Sequence, residues 1–229
     1  TIRSYNGSYK RFSEFIGDRN GASEITQETI YAFIYSLQEE EVKPTSINHY
    51  LRDIRAIIRF GQEQGTIAQF PIKLIKEQEY IKETYSEEEM LLLLAKPKPK
   101  ESFVEWRTWA IVNWVYGTGN RAETVCSIQI KDISFTRNEI TLRHTKNKKA
   151  LQIPLSRSLS LCIKEYMKKW RSRVSDDAYL FPNIGEEKLT TNALRLSLAR
   201  YNKSRGVSKT SIHSLRHTFA KEWIRNTGD

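Results

Sequence analysis

Apolar residues recur at helical spacing through the first third of the chain, and three amphipathic segments follow from that period alone. Ile2, Tyr5, Tyr9, Phe12 and Phe15 or Ile16 predict one helix over about residues 1–15. Thr26 suits an N-cap, Glu28 falls in the first turn, and Ile30, Phe33, Ile34 and Leu37 give a second helix its buried face. Pro44 then interrupts the chain. Thr45 or Ser46 caps a third helix reaching about Phe60, with Ile47, Tyr50, Leu51, Ile54 and Ile58 inward and Gly61 and Gly65 at or past its end.

The polar side of that third helix is strongly basic. Arg52, Arg55 and Arg59 share a face, with Asn48 and His49 a turn earlier. A solvated surface accounts for such a stripe. So does a helix lying along DNA, where Arg neutralises phosphates or reads guanine and Asn reads adenine.

Between Phe70 and Glu83 the period is lost among charges and Pro71, as in a connecting segment. The boundaries expected from this are a helical domain over 1–75, a linker over 76–84 and a larger domain over 85–229. Ser86 with Glu89 three residues on forms a capping-box pattern that opens a helix to Ala95, and the Lys–Pro run 96–100 ends it. Phe103–Tyr116 reads as an aromatic, buried helix closed by Gly117-Thr-Gly119, and Ala122–Ile128 as a short helix. The period then changes to two. Glu139–Arg143 and Leu151–Pro154 read as antiparallel strands flanking a basic turn, before helices resume over 155–170, 191–201 and from about 211. The expected fold class is therefore mainly α: a small all-helical domain and a larger α+β domain with a short antiparallel sheet.

Composition narrows the function. Hydrophobic residues make up 39% and charged residues 28%, enough for a packed core. No apolar run is long enough for a membrane span, and the first residues carry no signal-peptide pattern. The chain does not open on Met, so Thr1 is read as lying inside a longer polypeptide. Cys126 and Cys162 match no metal or redox spacing, which suggests reduced thiols in a cytoplasmic protein. Net charge is +10, and its distribution is uneven. Residues 1–83 hold 11 Lys and Arg against 12 Asp and Glu, whereas the remainder holds 26 against 15. A polyanionic partner would thus meet local stripes in the first domain and a broad positive field in the second.

Three separated features could carry chemistry. Tyr116-Gly-Thr-Gly-Asn-Arg121 is a glycine-rich turn presenting Arg121 where a helix begins. It suits a phosphate but is equally a structural turn before a surface Arg. It is not a nucleotide-binding loop, since no Lys follows the second Gly. In the turn between strands, Lys146 could protonate a leaving oxygen or pair with phosphate, with Lys148 and Lys149 as competitors. His213 and Arg216, three apart on a helix, share a face that could meet one phosphoryl group.

Taken in order, Arg121, then Ile140-Thr-Leu-Arg-His-Thr-Lys146, then Ser211-Ile-His-Ser-Leu-Arg-His-Thr-Phe-Ala-Lys221 resemble the tyrosine recombinase, or phage integrase, family. The segment from Thr1 to Gly65 resembles that family's SAM-like core-binding domain, so the likeness spans nearly the whole chain. The integrases of Gram-positive mobile elements look nearest.

The resemblance implies site-specific cutting and rejoining of double-stranded DNA through a 3′-phosphotyrosine, without metal or other cofactor. Arg121 and Arg216 would hold the scissile phosphate, His213 would contact it or assist proton transfer, and Lys146 would be the general acid. Lys43, Thr45, Asn48, Arg52, Arg55 and Arg59 are the expected DNA contacts of the first domain. The two domains would clamp a duplex, and active assemblies would be tetramers on paired sites in the bacterial cytoplasm, with the nucleoid.

Two departures qualify this. The family usually carries an acidic residue three positions after the first Arg, where Thr124 stands here, with Glu123 before it. The nucleophilic Tyr follows the second Arg in the family, whereas the last tyrosine here is Tyr201. The 229-residue chain is accordingly expected to bind DNA without cutting it, as a monomer or weak oligomer. A non-catalytic DNA-binding protein of the same fold is the alternative.

Overall fold

The computed structural model describes residues 2–17, 21–77, 82–143 and 150–228. They form two compact units, one within residues 1–80 and one within 81–229, each with its own hydrophobic core.

The first unit is helical. Helix α1 spans Ile2–Ile16, α2 spans Gln27–Glu39 and α3 spans Pro44–Glu63. Thr26 caps α2 as the sequence suggests, in a capping box whose reciprocal partner is Thr29. The expected faces meet: Ile30, Phe33, Ile34 and Leu37 bury against Ile47, Leu51, Ile54 and Ile58, with Phe12 edge-on to Phe33 at 5.1 Å. Pro44 starts α3 rather than breaking the chain ahead of it, because the first turn of a helix needs no proline N–H. Neither Thr45 nor Ser46 caps it; the N-cap is Lys43, with no side-chain bond.

The stretch after α3 carries no regular element, yet it is not simply a connector. Ile67 and Ile72 are buried in the first core, and Phe70 and Ile75 pack on it. Its backbone polarity is satisfied by side chains of α3, as described below.

The second unit is built around α5, Phe103–Thr118, a helix apolar on nearly all sides. Trp114, Ile111, Val112 and Val115 are fully buried. Around it pack α4 (Glu87–Leu94), α7 (Arg157–Trp170), α8 (Thr191–Ser204) and α9 (Ile212–Thr227). The short α6, Ala122–Ser127, follows α5 directly. The sheet has order β1-β2-β3, all antiparallel: Ile133–Ser134, Glu139–Leu142 and Leu151–Pro154. Leu142 faces Leu151 in register. Strand β1, too short to show a period, is the element the sequence pattern misses. Its Ile133 pairs with Ile140.

No helix among the described residues is long and apolar enough to cross a membrane. Cys126 and Cys162 are both buried free thiols.

Candidate phosphate-binding site

The site begins with a turn pinned from three sides. Helix α5 ends at Gly119 in the left-handed region, φ 61°, with its N–H bonded to Val115 O at 2.8 Å. Asn120, buried beneath the turn, accepts from Trp114 Nε1 at 3.1 Å, and its backbone N–H donates to Thr118 Oγ1 at 3.3 Å. A side chain at 119 would meet Phe219 Cδ1 at 2.4 Å, so glycine is needed for both the dihedral and the approach of α9. Arg121 follows as the N-cap of α6, extended and exposed.

Helix α9 supplies the other half. Ser211 caps it through the backbone N–H of His213 and Ser214. Ile212 and Leu215 point into the core, leaving His213 exposed and Arg216 half-buried on the outer side. Thr218 fixes the helix laterally: its Oγ1 donates to Ser214 O at 2.8 Å and accepts from the Tyr85 N–H at 2.9 Å.

Phe219 against Gly119 thus holds the two halves together, and the charges register the result. Burial lowers the Arg216 pKa, and the positive charge of Arg121 lowers it further. The His217 imidazole is likewise held below its ordinary value, by burial and then by Lys82, His213 and Arg216. Among the described residues, neither Arg121 nor Arg216 forms an ion pair with a carboxylate.

Lys146, with Lys148 and Lys149, lies outside the described residues. Just after β2, Arg143 Nε meets the buried carboxylate of Asp132 at 2.6 Å. Glu123 does not support Arg121. Its carboxylate is taken by Lys188 Nζ at 2.6 Å, a partner 65 residues away that no local pattern announces. Nor is Tyr201 placed for chemistry, since it is buried and its hydroxyl donates to Leu93 O at 2.7 Å.

On the first unit the expected contacts divide. Lys43, Thr45, Arg52 and Arg59 are exposed. Asn48 is a correction: it is 2% exposed, and its carboxamide is engaged inside the protein. Its Nδ2 donates to Ile75 O at 2.9 Å and to Glu77 Oε1 at 2.5 Å, while its Oδ1 accepts from Ile75 N at 2.9 Å. Both Nδ2 hydrogens are thus taken, so the donor–acceptor pair that would read an adenine is not on offer. Arg55 also turns inward in part, donating to Ile72 O at 2.6 Å. With Arg59, Gln62, Gln69, Phe70, Pro71 and Ile72 it lines a groove of about 440 Å³.

Arg121 and Arg216 are thus presented by the α5–α6 turn and by α9 of the second unit, and comparison gives the family. Residues 83–229 match the phage integrase family, and the chain belongs to it. This is a family of tyrosine-type site-specific DNA recombinases. The tyrosine recombinase XerA of Pyrococcus furiosus is 29% identical over 229 residues, covering 98% of this chain and 74% of that protein. The tyrosine recombinase XerC of Herpetosiphon aurantiacus is 24% identical, covering 100% and 77%. Among solved structures, the Tn1549 transposon integrase in complex with circular intermediate DNA superimposes with a TM-score of 0.75 at 17% identity, covering 100% of this chain and 83% of that one. A lambda integrase tetramer bound to a Holliday junction gives 0.74 at 17% identity, covering 97% and 66%.

Proposed function

We propose that Arg121 and Arg216 grip the nonbridging oxygens of one scissile DNA phosphate, that His213 contacts the same group, and that Lys146 protonates the 5′-oxygen as it leaves. The reaction is site-specific recombination through a 3′-phosphotyrosine. One observation carries this reading: Arg121 and Arg216, on different elements, come close enough that the charge of Arg121 adds to burial in lowering the Arg216 pKa, and among the described residues no carboxylate pairs with either. A phosphodiester relieves that repulsion, and the extra negative charge of its pentacoordinate transition state relieves it more. Binding is therefore tighter where charge builds up, which is what accelerates a step.

Double-stranded DNA is the partner, reached in the first unit by Lys43, Thr45, Arg52 and Arg59. The DNA-bound integrases with the same fold, including a tetramer on a Holliday junction, support a multimeric assembly on paired sites. Such a protein acts with the nucleoid in the cytoplasm.

Single-turnover strand cleavage by the full-length recombinase tests the roles. Arg121→Ala and Arg216→Ala should each slow cleavage by about 100- to 1000-fold, the usual cost of one preorganised donor. Lys146→Ala should block cleavage of ordinary DNA but cut a duplex with a 5′-bridging sulfur, because a thiolate leaves without a proton. Unimpaired cleavage by either arginine variant would overturn the phosphate grip, and absence of sulfur rescue would remove Lys146 as the acid.

A further inference from the structure

The contact between Lys188 and Glu123 is the feature beside the site that the reaction scheme leaves unused. Lys188 sits in a small hairpin, bridged antiparallel to Pro182. That hairpin has a rigid footing. Asn183 N donates to Glu187 O at 2.8 Å, and Asn183 Oδ1 accepts from Glu187 N at 3.0 Å. The buried Arg107 donates to Pro182 O at 2.5 Å, while the buried Arg171 holds both Tyr179 O, at 3.0 Å, and the Glu186 carboxylate. Leu180 N donates to Ile128 O at 2.8 Å, which ties the approach to the hairpin directly to the residue that ends α6. The ammonium of Lys188 is thus delivered to Glu123 from a fixed base.

Glu123 lies in the first turn of α6, two residues after Arg121. Within a helix such neighbours point apart. Arg121, however, stands before the helix with φ −74° and ψ 153°, and its exposed side chain is free to fold onto a first-turn carboxylate. A released Glu123 would then neutralise the guanidinium and repel an incoming phosphate.

We propose that Lys188 is a positioning residue for Arg121: by occupying Glu123, it keeps that carboxylate off the guanidinium and leaves Arg121 open to phosphate. The inference rests on the reading of Arg121 as a phosphate ligand. Lys188 itself touches no substrate. The arrangement gives a cation–anion–cation series in which the distal cation sets the freedom of the proximal one.

The sign of the mutational coupling tests this. Inorganic phosphate is titrated into the 229-residue protein. The Nε–Hε resonances of Arg121 and Arg216, assigned with Arg121→Lys and Arg216→Lys, are followed by NMR. Lys188→Ala should weaken phosphate binding at Arg121 by about threefold to tenfold, the scale of one partly screened charge. Lys188→Arg should bind as the unaltered protein does. Glu123→Ala should bind at least as tightly as the unaltered protein, and Lys188→Ala combined with Glu123→Ala should regain that affinity. A clasp that merely stiffens α6 demands the opposite, because removing either partner deletes the same ion pair. If Glu123→Ala weakens binding as much as Lys188→Ala, or the double variant stays weak, the inference is overturned and the site reading stands. If neither arginine resonance of the unaltered protein responds to phosphate, the site reading falls and the inference with it.

Discussion

Gly119→Ala should loosen the second unit out of proportion to the one methyl group it adds. Two costs combine. The residue sits at φ 61°, where a Cβ costs about 1–2 kcal/mol. The new atom would also meet the Phe219 ring at 2.4 and 2.7 Å, and such overpacking costs typically about 1–3 kcal/mol. The expected destabilisation is therefore about 2–5 kcal/mol, or roughly 5–15 °C in Tm for a unit of this size. All five tryptophans, from Trp106 to Trp223, belong to this unit, so intrinsic fluorescence during urea unfolding reads it without interference from the first. Phe219→Ala removes the opposing ring, and in the Gly119→Ala background it should cost less than it does alone. That non-additivity should exceed about 1 kcal/mol, as for residues in direct contact. A Gly119→Ala protein within about 0.5 kcal/mol of the unaltered one, the range of ordinary surface changes, would refute the view that this contact holds the Arg121 turn against α9.

Other expectations follow from single contacts. Asn48→Ala strands the backbone of Ile75 and should cost about 1–3 kcal/mol in the first unit, seen as faster hydrogen exchange of the Ile75 amide. His217 should titrate below the ordinary histidine range in an NMR pH titration. Because its folded pKa is depressed, the unfolded chain takes up the proton first. Its contribution to stability is full above the unfolded pKa of about 6.5 and is lost as pH falls toward the folded value, a dependence that His217→Gln should remove. Cys126 and Cys162 should resist a thiol reagent until urea unfolds the second unit, since burial pushes the Cys126 thiol up to about 12 and raises that of Cys162 as well.

The helices of this protein were legible because their burial follows the 3.6-residue period closely. The face Ile30, Phe33, Ile34 and Leu37 and the face Ile47, Leu51, Ile54 and Ile58 needed no tertiary information. The Thr26 and Ser86 caps were equally local. Asn48 was misread for the same reason it was noticed. It neighbours an arginine stripe by sequence, but at position i+1 from Ile47 and i−3 from Leu51 it borders the buried face, where the 72–77 segment lies. That segment looked like a linker because its apolar residues, Ile72 and Ile75, have no sustained period. They are held instead by long-range bonds from α3. Arg121, His213 and Arg216 stand out in short strings whose spacing has chemical meaning, which is why they are the residues proposed for the site. The Lys188–Glu123 contact has no such string, and only folding shows it.

The two hydrophobic cores share no residue. Each unit therefore has its own means of remaining folded, and damage to one set of buried side chains need not propagate into the other. Heat or urea should melt the molecule in two events rather than one. The same partition lets substitutions accumulate in the helical unit while the chemistry-bearing unit keeps its geometry, so a lineage can explore new targets without first solving catalysis again.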